Sequence, residues 1–184
     1  YRLAETHPLL LHSVGLNIGS FDPIDQDYLT RIQKLIRCFN ISVYSDHLCF
    51  TRSGGKSTFE LLPIKKNNFE LNRITQRVKE VQDKLGRKIA LENPSAYVSY
   101  RSEQMSELEF LMELHHRTGC GILFDVNNLY VNAFNFQFDA RKEIDILQPE
   151  AVDQIHVAGH TIRSNYLFDT HDTKVDQEVW ELLN

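Results

Sequence analysis

His156 and His160 stand four residues apart in Ile155-His-Val-Ala-Gly-His160, and Asp169-Thr-His171-Asp172 follows within a dozen residues. Imidazole nitrogen and carboxylate oxygen are ligands that Zn, Mn and non-haem Fe all accept, so this stretch reads as metal-ligand chemistry at close spacing. Four earlier segments end in the same way. His12, His47, Glu92 and Asp125 each close a short apolar run, at intervals of 35, 45 and 33 residues, and His156 comes 31 residues later. Cysteine is absent from this pattern. Cys38, Cys49 and Cys120 are far apart and form no C-x-x-C pair. They read as reduced thiols of a cytoplasmic protein, with Cys49, two residues past His47, as a packing residue.

The elements that must position these groups alternate. Pro8–His12, Ile41–His47, Lys88–Glu92, Gly121–Asp125 and Val152–His156 are short, apolar and without period-two alternation, as strands covered on both faces are. Between them lie helical patterns. One follows a cap at Asp25 or Asp27, with Leu29, Ile32, Leu35 and Ile36 on one face. A second carries Leu71, Ile74, Val78, Val81 and Leu85 and ends at Gly86. A third begins at a capping box, Ser106-Glu-Leu-Glu109, flanked by Met105 and Phe110, and ends at Gly119. Asp139–Leu147 reads as a shorter helix, and a last one follows Asp176 to Asn184. Residues 48–63 read as a polar loop with Gly54-Gly55 at its tip and 161–167 as a polar link, while Val126-Asn127-Asn128 follows the fourth strand with no element assigned. Strand–helix alternation at this spacing implies a parallel sheet.

All strand C-termini of such a sheet lie on one side, and in a (β/α)8 barrel they converge on the mouth. Five ligand-type side chains would then share one small volume, with Asp169 and His171 in the loop above it. The ligand supply exceeds one four-coordinate ion, which allows two or three, with Glu92 bridging. Asn128 would contribute through its amide oxygen. Asp46, Asn93, Asn127, His160 and Asp172 would orient the ligands through hydrogen bonds. Each residue also has an ordinary reading. A lone strand-end His is commonly a hydrogen-bonded core or surface residue, Glu92 could be an ion-paired strand end, and Asn93, Asn127 and Asn128 could be turn residues. His7, before Pro8, is expected at the surface, and His115 and His116 suit the negative end of a helix dipole.

The composition narrows the partners. The chain of 184 residues is 42% hydrophobic and 24% charged with a net charge of −5, and it has no long basic run. That is an ordinary composition for one globular domain, taken as residues 1–184, and it argues against nucleic acid or an anionic membrane as partner. No apolar run has the length of a membrane span.

The strings His12-Ser-Val-Gly-Leu-Asn-Ile-Gly-Ser20, Ser45-Asp-His-Leu48, Leu61-Leu-Pro63, Leu91-Glu-Asn-Pro94, Phe124-Asp-Val-Asn-Asn128, Ile155-His-Val-Ala-Gly-His160 and Asp169-Thr-His-Asp172 resemble the family called domain of unknown function 692. Its studied members are multinuclear non-haem iron-dependent oxidative enzymes, among them the methanobactin biosynthesis oxidase. The resemblance implies a TIM barrel of the xylose isomerase-like type, here incomplete at about five βα units. Family members carry a preceding βα unit and a C-terminal part with a further Glu ligand, so the sequence is taken as part of a longer barrel. The resemblance also implies a centre of two or three Fe ions. These would be held by His12, His47, Glu92, Asp125 (or Asn128), His156, Asp169 and His171, with Glu92, Asp125 and His171 closest to the chemistry. The implied activity is an oxidoreductase that uses O2 to modify a residue, cysteine foremost, of a ribosomally made precursor peptide. A partner protein recognising the peptide's leader is implied with it. Two other readings keep the same residues: a Zn- or Mn-dependent hydrolase or isomerase of the endonuclease IV or xylose isomerase type, and a non-catalytic metal- or peptide-binding barrel.

Overall fold

The computed structural model describes residues 2–183; Tyr1, and Asn184 at which the expected last helix meets the end of the sequence, lie outside the described residues. The elements follow in the order α1 (Arg2–Thr6), β1 (Leu10–Ser13), α2 (Gln26–Phe39), β2 (Val43–His47), β3 (Cys49–Ser53), β4 (Lys56–Pro63), α3 (Asn68–Leu85), β5 (Ala90–Glu92), α4 (Glu107–Thr118), β6 (Gly121–Asp125) and α5 (Val126–Phe136). Then come α6 (Ala140–Ile144), a 3-10 turn at Pro149–Ala151, β7 (Val152–His156), β8 (Thr161–Arg163), β9 (Tyr166–Phe168) and α7 (Gln177–Leu183).

β1, β2, β5, β6 and β7 form one sheet in that spatial order, every pair parallel. The order never reverses. A doubly wound sheet would show a switch point, whereas a barrel adds each new strand to the same side. The arrangement is an incomplete TIM-type barrel. β1 and β7 are its outer strands, and Leu10 and Ile155 on them are half-exposed.

The helices form because their apolar residues fall on one face and their ends are capped. Leu71, Ile74, Val78 and Val81 of α3 and Leu108, Leu111 and Leu114 of α4 are buried in the core cluster, along with Leu91 and Ile122 from the sheet. Asp25 caps α2 by accepting the Tyr28 N–H at 2.8 Å. At α4 the Ser106 hydroxyl accepts the Glu109 N–H at 3.2 Å while Glu109 accepts the Ser106 N–H at 2.7 Å. Ser106→Ala is expected to cost about 1 kcal/mol and to lower Tm by roughly 2–4 °C, readable by thermal denaturation.

Five expectations need correction. The stretch read as a polar loop at 48–63 is the antiparallel hairpin β3–β4, whose two-residue turn is Gly54-Gly55 at φ 58° and 74°. A primed turn needs positive φ at both central residues, which glycine supplies. The Asn127-Asn128 pair is not a turn but the first residues of α5, which starts directly from β6 because the Asp125 carboxylate accepts the Asn128 N–H at 2.8 Å. The link at 161–167 falls in a second small hairpin, β8–β9, which closes at Phe168. The helix expected over Asp139–Leu147 is the shorter α6, Ala140–Ile144. The first strand runs to Ser13, so His12 is its penultimate residue; α1 precedes it, where the sequence showed no element.

Candidate metal centre

Residues paired in register across a parallel sheet share a face, and so do residues two apart along a strand. His12 pairs with Ser45, His47 with Glu92, and Asp125 with His156. One face therefore carries His12, Ser45, His47, Glu92, Asp125, Gln154 and His156 at the carboxyl ends of five neighbouring strands. The last of these depends on an irregularity. Ile122 pairs with Val152 but Leu123 pairs with Gln154, so β7 holds an extra residue, Asp153, between them. Asp153 lies over Gly121, where a Cβ would come 1.8 Å from its Oδ2.

The side chains meet. His12 Nε2 and His47 Nε2 lie 3.0 Å and 3.1 Å from Glu92 Oε2, and His156 Nδ1 lies 3.5 Å from Glu92 Oε1 and 3.9 Å from Asp125 Oδ2. The His12 ring centroid is 4.6 Å from that of His47 and 5.2 Å from that of His156. Ligand atoms of His12, Glu92 and His156 all fall within 4.8 Å of one another. Each imidazole is oriented through its second nitrogen. His12 Nδ1 meets the Ser45 hydroxyl at 2.9 Å, His47 Nδ1 meets the Ser13 carbonyl at 3.1 Å, and His156 Nε2 meets Gln154 at 3.0 Å. Such outer contacts fix the tautomer and aim of a ligating imidazole.

The carboxylates are crowded and dry. Burial pushes the Glu92 carboxyl up, but His12, His156 and His47 outweigh it and hold it below the usual range. Asp125 goes the other way: burial raises it, the Asn128 N–H opposes this, and the negative charges of Glu92 and Asp169 add to the rise. His47 is pushed down by burial against the pull of Glu92. His156 is raised, first by its contact with Glu92. Two buried oxygens here, Asp125 Oδ2 and Asn128 Oδ1, have no hydrogen-bond partner among the described residues, and Glu92 Oε2 meets only the His12 and His47 imidazole nitrogens. Buried acceptors are rarely left so, and oxygen atoms without donors, facing imidazole nitrogens, suit a hard or borderline cation. The residues present therefore fit a metal ion.

The remaining expected residues fall into two groups. Asp169, half-buried, accepts from Asn127 Nδ2 at 2.8 Å and meets His171 Nε2 at 2.9 Å; burial raises it, and Glu92 adds to the rise, which places it within electrostatic reach of the cluster. His171 is itself 58% exposed by side chain, at φ 56°. Asp46 lies on the opposite face of β2. It accepts the Leu16 and His47 N–H groups at 3.0 Å and 2.7 Å and the Ser13 hydroxyl, so it braces the segment whose carbonyl holds His47; burial, opposed by these donors, pushes it up to about 6. Asn93 holds Asp125, as described below, and His160 reaches Asn127 at 2.9 Å. Asp172 is exposed and accepts from Thr161 and Thr170, with no contact to the cluster.

Sequence reasoning missed Ser13, Ser45, Gln154 and Tyr97, whose hydroxyl accepts the Asp169 N–H at 3.1 Å. Period two was the available signal for Ser45 and Gln154, since each stands two residues before a histidine on its own strand. Cys49 is buried at the start of β3, its thiol raised first by burial. His115 is at the other end of the sheet, at the C-terminus of α4, with Nδ1 on the Cys120 carbonyl at 2.8 Å. His115→Ala is expected to leave metal content unchanged by elemental analysis, and a clear loss would show that the wrong histidines were grouped.

Residues 1–184 match the family described as RiPP precursor modification enzyme MbnB/TglH/ChrH, which acts on precursors of ribosomally made, post-translationally modified peptides. The chain belongs to this family. Among its relatives are UPF0276 proteins of Anaeromyxobacter sp. (42% identical over 175 residues, 95% of this chain and 62% of the relative) and of Chromobacterium violaceum (43% over 179 residues, 97% and 65%). The chain thus spans somewhat less than two thirds of the length of these relatives. A solved D-tagatose 3-epimerase-like protein superposes with a TM-score of 0.58 at 17% identity, covering 99% of this chain and 70% of that one, which bears on the fold alone. No helix among the described residues is long and apolar enough to cross a membrane.

Proposed function

We propose that this member of the family is the metal-binding part of an enzyme that oxidises a residue, cysteine foremost, of a ribosomally made precursor peptide, using two or three Fe ions and O2. The observation that carries the reading is the convergence of His12, His47 and His156 on Glu92, beside buried oxygens of Asp125 and Asn128 that lack donors. His12, His47, Glu92, Asp125 and His156, together with the Asn128 amide oxygen, Asp169 and His171, would hold the metal. When bound, iron would supply the electron transfer and O2 chemistry that side chains lack.

The protein's own share is positioning. Ser45, the Ser13 carbonyl and Gln154 keep three imidazoles aimed inward, which reduces the reorganisation needed at the centre. Asn93 and the Asn128 N–H fix Asp125. Burial of Glu92 and Asp125 keeps water from their oxygens, and exposed His171 stands at the rim where a peptide side chain would enter, its Nε2 2.9 Å from Asp169. The precursor peptide is the proposed substrate, and a leader-recognising protein the proposed partner.

Elemental analysis of the purified protein, with O2 uptake in the presence of a cysteine-containing precursor peptide, tests this. Iron with visible absorbance and peptide-dependent O2 consumption is expected. Colourless zinc with phosphodiester or sugar turnover would replace the reading with a hydrolase or isomerase, and metal without turnover would reduce it to a binding module.

A further inference from the structure

His160 is 5% exposed, and no step of the proposed activity uses it directly. Its two ring nitrogens face different partners. Nδ1 lies 2.9 Å from Asn127 Oδ1, and Nε2 lies 3.0 Å from Asp176 Oδ2. The amide orientation of Asn127 is set from its far side, because Asn127 Nδ2 donates to the Asp169 carboxylate at 2.8 Å. Asn127 Oδ1 and the Asp176 carboxylate are both acceptors, so the ring is held between two acceptor groups on opposite sides.

The same short segment ties down the loop that bears Asp169 and His171. The His171 N–H donates to the Gly159 carbonyl at 3.1 Å, and the Thr173 hydroxyl donates to the His160 carbonyl at 3.0 Å. Gly159 is itself required by this packing: a Cβ there would lie 2.3 Å from the Thr173 carbonyl oxygen and 2.6 Å from that of Lys174. Residues 171, 173 and 176 are thus all fastened to 159–160, and residue 169 is fastened to it through Asn127.

We propose that His160, bonded through its two ring nitrogens to Asn127 and Asp176, is a positioning residue that clamps the Asp169–His171 loop over the metal centre. The clamp is a property of the protein without metal; only its consequence, the placement of Asp169 and His171 as ligands, rests on the functional reading above. The ionisable groups that face the ring are Asp176 and Tyr130, whose ring is 5.2 Å away. Tyr130 is raised, first by burial and then by Glu178 and Asp176, so it faces the ring as a neutral phenol. Asp169 and His171 lie one residue further, beyond Asn127.

Amide hydrogen exchange on the metal-free protein tests the clamp, read as protection factors at the Asp169 and His171 N–H groups. His160→Ala should exchange them roughly ten- to a hundredfold faster. Asp176→Ala is the deciding variant, since Asp176 is half-exposed and its loss leaves His160 and the Asn127 contact in place. It should speed exchange at the same two amides and leave the amides of α3 unchanged, and Asp176→Asn, which keeps an acceptor oxygen, should restore most of the protection. Native protection in His160→Ala or in Asp176→Ala would overturn the proposal, as would no recovery in Asp176→Asn. Loss of the metal reading leaves these outcomes untouched, because they are measured without metal.

Discussion

Glu92→Gln is expected to remove at least one metal ion per chain and to weaken the ion that remains beside it by about two orders of magnitude, on the order of 3 kcal/mol. Glu92 is the one residue approached by all three clustered imidazoles, and its two oxygens face different ones: Oε2 faces His12 and His47, Oε1 faces His156. A bridging carboxylate has this disposition. The amide keeps the shape and removes the charge, so the volume at the strand end is unchanged and the fold should persist. Elemental analysis read together with circular dichroism separates the two effects. Full metal content in a folded Glu92→Gln protein would show that Glu92 does not bridge.

Asn93→Ala is expected to be the most destabilising single change near the site, at about 3 kcal/mol, with Tm lowered by roughly 6–12 °C. Asn93 is 1% exposed and bonds both polar groups of the Asp125 backbone. Its Nδ2 donates to the Asp125 carbonyl at 2.9 Å and its Oδ1 accepts the Asp125 N–H at 2.8 Å. Truncation orphans a buried donor and a buried acceptor at once, at the point where β6 becomes α5. Thermal denaturation of the metal-free protein isolates this from any loss of ligand. A shift smaller than about 3 °C would mean that water takes the amide's place.

Much of this architecture was legible because it is written in two periodicities. The steps of three and four in Leu71, Ile74, Val78, Val81 and Leu85 gave α3, and the Ser106–Glu109 pair gave the start of α4. Alternation of strand and helix gave the parallel order, and that order was enough to predict which strand ends would meet. The hairpin β3–β4 was missed although Gly54-Gly55 is a strong turn signal, because a hairpin inserted after a barrel strand breaks the alternation on which the reading leaned. α5 was missed for a different reason. Asn is a poor helix former in isolation, and only the tertiary bonds of Asn127, Asn128 and Asn132, to Asp169, Asn93 and Pro94, make it serve there. The orienting groups Ser45 and Gln154 were hidden because residue type alone does not mark them; their role follows from the face they share with His12 and His156.

The additional residue in β7 has a consequence for how the barrel tolerates change. Upstream of it Val152 matches Ile122, which points to the helices; downstream, Gln154 and His156 match Leu123 and Asp125, which point to the centre. Strand faces alternate strictly, so this one irregularity is what turns a histidine from the hydrocarbon side to the ligand side. Regular pairing with Asp153 retained would set Asp153 opposite Leu123 and Ile155 opposite Asp125, and so would aim Ile155 where His156 now stands. Gly121, whose bare Cα makes room for Asp153 on the neighbouring strand, and His156 therefore form a linked pair: neither position is free to vary while the other keeps its present task.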